Sequence, residues 1–181
     1  PATVREETAH PADASPLLGE AREMRPRLRG DEHNEVAVSL VELGRAHVAL
    51  ERIDLAEPLF REALVIRRKV LGDEHREVAV SLGDLALLLW QKGELAAAEP
   101  FFTQSLAMHR KTVGPEHPNV AQAMANLAQL KMDQKDFFAA ETLLQGALPI
   151  VRRSFGEKHW RTARMLGHLG TVMRQQRRLD E

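Results

Sequence analysis

The chain predicts an all-α fold of stacked antiparallel helix pairs, and three observations carry that prediction. The first is an internal repeat: Gly30, Gly72, Gly114 and Gly156 stand 42 residues apart, as do His33, His75, His117 and His159 and also Ala37, Ala79, Ala121 and Ala163. The second is the apolar spacing inside one period, which steps by three and four residues as an amphipathic helix requires. The third is that no run alternates apolar and polar residues as a half-buried strand would.

Four ungapped segments open the repeats: LRGDEHNEVAVSL from Leu28, VLGDEHREVAVSL from Val70, TVGPEHPNVAQAM from Thr112 and SFGEKHWRTARML from Ser154. In each period a first helix follows the glycine. Val36, Leu40, Leu43 and His47 mark its apolar face, and Leu82, Leu85 and Leu89 repeat it. After a break at 51–53, a second helix carries Leu55, Leu59, Ala63, Ile66 and Val70, then Leu95, Phe102, Leu106 and Val113 one period later. Each helix is expected to run about 15–17 residues.

Punctuation agrees with this division. Pro118 occupies a first helical position, where its missing N–H is harmless. Asp54 and Asp136 are placed to cap second helices. Basic residues close those helices at Arg67–Lys69, Arg110–Lys111 and Arg152–Arg153, where they oppose the helix dipole, and the following glycine tolerates a left-handed stop. A phosphate or nucleic-acid patch is the alternative reading of these clusters. Small residues recur where helices must approach, at Gly44, Ala86, Ala128 and Gly170, at Ala56, Ala98 and Ala140, and at Ala63, Ser105 and Ala147. Leu43, Leu85, Leu127 and Leu169, with Phe60, Phe102 and Leu144, supply the large partners. Pro149 falls inside its helix and is expected to kink it, as is Pro26 near the amino end.

The register extends upstream. Ala14, Pro16, Leu17, Glu20 and Ala21 match Ala56, Pro58, Leu59, Glu62 and Ala63, so 14–28 reads as a second helix that has lost its first. Residues 1–13 form a polar segment, and 14–181 a single repeat domain: a half repeat at 14–29, repeats at 30–71, 72–113 and 114–155, and a further first helix at 156–181. The sequence supplies no polar cap at either end, so the array is expected to be truncated at both.

Composition narrows the function. The 181 residues are 44% hydrophobic, with 25 basic and 26 acidic residues, a net charge of −1 and 4% aromatic content. Nonspecific nucleic-acid binding needs a basic surplus or a stacking platform, and neither is present, so nucleic acid is not an expected partner. The longest uncharged apolar run, 85–90, is too short to cross a bilayer, no secretory signal opens the chain, and no membrane partner is expected. There is no cysteine, which removes disulfides and thiolate metal sites and fits a cytoplasmic setting.

Chemistry-bearing motifs are missing as well. The repeat histidines lie one repeat apart, about 10 Å by helix packing, whereas metal ligands converge within about 2 Å of one ion. They read instead as residues that bond backbone groups at the start of the next helix. His10, His47, His109 and His168 have no ligand spacing, and no phosphate loop, nucleophile elbow or cysteine nucleophile occurs. No cofactor, no metal and no enzyme activity are expected.

The stretch LGDEHREVAVSLGDLALLLWQKGELAAAEPFF resembles the tetratricopeptide pattern, with its period lengthened to 42 residues, in the variant found in kinesin light chains and bacterial relatives. That resemblance covers 14–181 and implies a right-handed superhelical solenoid whose first helices line a concave protein-binding face. On this register the face comprises Val38, Val41, Glu42, Arg45 and Val48, then Val80, Asp84, Leu87 and Trp90, then Gln122, Asn126, Gln129 and Met132, then Arg164, His168, Thr171 and Arg174. Its amino-terminal half is apolar and its carboxyl half polar to basic. The family's peptide-clamping asparagine persists only at Asn126, while Glu42, Asp84 and His168 take the equivalent places. The implied function is a scaffold that binds a peptide or partner protein on this face. A regulatory module of a larger signalling protein, such as a kinase, and self-association through the uncapped ends are the alternatives.

Overall fold

The computed structural model describes residues 30–180, with side chains from 33 to 177; the segment 1–13, the half repeat 14–29 and Pro26 lie outside it. Seven helices and no strand are present among the described residues. They are α1 (Gly30–Ala49), α2 (Ile53–Leu71), α3 (Arg76–Gln91), α4 (Leu95–Val113), α5 (Pro118–Asp133), α6 (Phe137–Phe155) and α7 (Trp160–Asp180). Each packs chiefly on its neighbours in sequence, as in a solenoid. The second helices α2, α4 and α6 each span 19 residues, longer than the apolar pattern alone suggested. The basic clusters close their last turns up to the repeat glycine, as expected.

Those glycines stop the helix in an extended mirror-image conformation and not in the left-handed helical one. Gly72, Gly114 and Gly156 have φ of 84°, 87° and 90° with ψ of 163°, 155° and 165°. That region is open essentially to glycine alone, so the repeat glycine is a conformational requirement. The next helix starts on the repeat histidine. His75 and His117 Nδ1 each accept the backbone N–H two residues on, from Glu77 and Asn119, at 3.1 Å. His159 does the same for Arg161 at 3.2 Å. This confirms the backbone-bonding reading of those histidines. Asp136 caps α6 through Ala139 N–H at 3.1 Å. Asp54 does not cap: α2 begins one residue earlier, and Arg52 holds the cap position without a side-chain bond. Helix α6 runs unbroken through Pro149, as α2 and α4 run through Pro58 and Pro100.

The core is the small-against-large interlock. Ala56, Ala63, Ala86, Ala98, Ala128, Ala140 and Ala147 are fully buried, and Phe60, Phe102 and Leu144 pack among them. At Gly44 a methyl group would meet Phe60 Cε1 at 2.6 Å, so the Phe60 ring would have to shift to admit one. Leu55, which the periodicity had placed on the apolar face, is exposed.

Successive repeats are tied by bonds that recur in register. Lys92 Nζ donates to Glu57 Oε2 at 2.6 Å, Gln134 Nε2 to Glu99 Oε2 at 2.9 Å and Gln176 Nε2 to Glu141 Oε2 at 2.8 Å. The Lys92 ammonium and Glu57 carboxylate favour each other's charged forms, raising one pKa and lowering the other. The basic clusters join this lattice, through Lys111 with Glu74 and Arg153 with Glu116.

Candidate interaction groove on the first helices

First helices α1, α3, α5 and α7 share one face, and side chains bridge it between repeats. Arg45 Nη2 on α1 donates to Asp84 Oδ1 and Oδ2 on α3 at 3.3 and 3.2 Å, while Nη1 pairs with Glu42 at 2.9 Å. Arg164 on α7 donates to Gln122 Oε1 on α5 at 3.2 Å, and Gln122 Nε2 donates to Asn126 Oδ1 at 2.8 Å.

Two cavities flank Asp84 and Leu87. One of about 180 Å³ is bounded by Arg45, Val48, Asp84 and Leu87, over Phe60 and Leu88. The other, about 210 Å³, is bounded by Val80, Asp84, Leu87, Asn119, Gln122 and Asn126, with Phe102, Ser105 and His109 of α4 behind them. A larger cavity of about 450 Å³ lies between α1 and α2 at Val36, Val65, Ile66 and Val70, and none of the expected face residues lines it.

The expected face residues divide into several groups. Arg45, Val48, Val80, Asp84, Leu87, Gln122 and Asn126 converge on the two cavities. Val38 and Arg174 are exposed and Gln129 half-buried, and none of them lines either cavity. Trp90 and Met132 are half-buried against the core, and the Trp90 indole N–H is held by Asp133 Oδ2 at 2.6 Å. Val41 is corrected: it is 3% exposed and belongs to the core. At its register partner Gly83 the stripe also turns into the helix pair, where a methyl group would stand 3.3 Å from Ser105 Oγ.

Electrostatics single out three groups on or beside this face. Burial raises the Asp84 carboxyl above its ordinary pKa, and Arg45 only partly offsets this. His109 has no ligand spacing in the sequence and is not expected on the face, because its register column varies from Arg67 to His109 to Val151, yet it backs the second cavity. It is 6% exposed, its Nδ1 meets no protein partner, and burial lowers its pKa, with His117 and Arg76 adding to the effect. Burial also lowers His168, with Arg164 adding to it.

The sign of the His109 effect follows from linkage. A histidine whose folded pKa is depressed binds its proton more weakly than the unfolded chain does, so stability is full above the ordinary value of 6.5 and falls as pH drops below it. Asp84 acts oppositely, its raised carboxyl gaining stability as acid protonates it. Urea unfolding across about pH 7 to 5 should show stability falling with acid, and less steeply in His109→Leu. An identical pH slope in that variant would remove the assignment.

No group of three or more histidine and acidic side chains among the described residues could hold a metal ion. No described helix is long and apolar enough to cross a membrane.

Comparison with known proteins agrees with this architecture. The tetratricopeptide repeat model matches residues 2–69, 35–111, 84–131 and 119–181. Among solved structures, BtubC (BKLC) from P. vanneervenii is similar at a TM-score of 0.74 and 21% identity, over 91% of this chain and 69% of that one. A putative kinesin light chain from P. anserina with nearly identical TPR-like repeats gives 0.74 at 24% identity, over 92% and 79%. The N-terminal domain of stress-induced protein-1 from C. elegans gives 0.58 at 13%, over 78% and 97%. No curated protein matches the sequence. With the repeat model covering nearly every residue and kinesin-light-chain-like solenoids sharing its fold, the chain belongs to the tetratricopeptide repeat family.

Proposed function

We propose that the chain holds a peptide segment of a partner protein on the concave face of its first helices, centred on Asp84 and Leu87. Repeats of this family generally mediate protein–protein interaction and are typically non-catalytic. The observation that carries the placement is the pair of side-chain-sized cavities sharing Asp84 and Leu87. Each combines an apolar wall with polar atoms at its rim, the combination by which pockets anchor a side chain and fix its orientation. The Asp84 carboxylate is held in a partly desolvated site at an energetic cost, a feature that clusters at functional positions.

Selection of displayed random peptides on the wild-type chain supplies the ligand. A selected peptide should lose at least about tenfold in affinity for Leu87→Asp, because a charge there disrupts both cavities. Unchanged affinity in that variant, with its melting temperature retained, would refute the site.

A further inference from the structure

We propose that Trp160, Arg161 and Arg164, with His159 beside them, form a receptor for the phosphate group of a phosphorylated serine or threonine on a bound partner. This rests on the reading of the chain as a holder of peptides and adds an anchor at the carboxyl end of the same face.

His159 aside, the cluster has no counterpart in the preceding repeats. Trp160 stands where Arg76 and Pro118 stand, Arg161 where Glu77 and Asn119 stand, and Arg164 where Val80 and Gln122 stand. Packing does not demand Trp160, which is 58% exposed. At Arg161 the charge is reversed: its equivalent Glu77 pairs with the buried Arg67 at 3.4 Å, a position that Val151 fills in the later repeat. Local departure from a repeat without a packing gain points to function.

The arginines are also preorganised. The Arg161 guanidinium lies 4.5 Å from the Phe155 ring centroid and 5.3 Å from that of Trp160, and the Arg164 guanidinium lies 5.0 Å from Trp160. Stacking on an aromatic face leaves in-plane N–H groups of a guanidinium available to an oxyanion, and of these Arg164 commits Nη2 to Gln122 Oε1 at 3.2 Å. The His159 ring lies 5.0 Å from Phe155 and 5.7 Å from Trp160. Its Nδ1 accepts from Arg161 N–H, so in the neutral ring Nε2 carries the proton and is a third donor.

No carboxylate answers these cations. Among the described residues neither Arg161 nor Arg164 has an acidic oxygen within 4.0 Å, whereas Arg67 and Arg68 at the first repeat junction, Lys111 at the second, and Arg152 and Arg153 at this same junction each have one. Helix α7 carries Arg161, Arg164, Arg174, Arg177 and Arg178 against the single acid Asp180. Two forks and an imidazole N–H around one exposed indole suit a compact dianion better than a singly charged carboxylate. A nucleic-acid strand would need a longer stacking platform than one tryptophan offers.

The test is a titration of the isotope-labelled protein with N-acetyl-phosphoserine amide, followed at the two indole N–H signals, Trp160 and Trp90. The expected result is a saturable shift of Trp160 with Trp90 still, no response to N-acetyl-serine amide, and affinity at least about tenfold lower in Arg161→Gln/Arg164→Gln. Arg164 is exposed and Arg161 half-buried, so thermal stability measured on the same variant separates lost binding from lost fold. The assignment is overturned by a missing shift, by an equal response to N-acetyl-glutamate amide, or by an undiminished response in the double variant. Tighter binding of a short oligothymidylate at matched phosphate concentration also overturns it. Leu87→Asp should titrate as wild type, so failure of the groove and failure of this receptor are told apart.

Discussion

Phe102→Ala is expected to lower stability by about 3–5 kcal/mol, a fall of roughly 6–20 °C in melting temperature. Phe102 is 1% exposed and faces fully buried Ala86 and Ala98 between α3 and α4. Removing its ring leaves a void that these alanines cannot fill, since a helix pair interlocked through small residues has no longer side chain to swing inward. The ring also backs the 210 Å³ cavity, so the loss enlarges the groove while loosening its wall. In a solenoid each repeat is held by its neighbours, so a defect at the central junction reaches both flanks. Urea unfolding measures it, and a loss below about 1 kcal/mol would show that α3 and α4 are not held by this interlock.

Glu77→Ala should cost about 3 kcal/mol, whereas Arg67→Met should change stability by less than about 1 kcal/mol. Arg67 is a cation at 4% exposure beneath the first helix of the next repeat. It donates to Ser81 Oγ at 2.7 Å and to the Glu77 carbonyl at 3.3 Å, with the Glu77 carboxylate 3.4 Å away. Removing the carboxylate strands a buried charge, while an apolar side chain of similar length removes the need for one. The chain itself supplies the precedent, for the same position is His109 and then Val151 in the following repeats. Adding Glu77→Ala to Arg67→Met should then cost little more than the single change, and additive losses would refute the coupling. Arg67 also lowers the Asp84 pKa, so its replacement should raise that carboxyl further.

Much of this architecture was legible because the repeat is written in residue types that backbone geometry requires. Glycine at 72, 114 and 156 answers a conformation open to little else, and histidine at 75, 117 and 159 answers an orphan N–H. Alanine at 86 and 128 answers helix proximity. What escaped the sequence depends on packing between repeats. The bond from Glu57 to Lys92 crosses 35 residues and has no local signature. Val41 looks like a groove residue by register, and only the side-chain layer around Gly83 shows that its stripe turns inward. His109 escaped because a repeat reading looks for sameness, and its column has none.

The most direct test of the central claim is amide shift mapping with a peptide selected on the wild-type chain. The account predicts that the perturbed amides cluster on α3 and α5 around Val80, Asp84, Leu87, Gln122 and Asn126, the residues bounding the paired cavities. Perturbation concentrated instead on the outward faces of α2, α4 and α6, at exposed Val65 and Phe138, would contradict it.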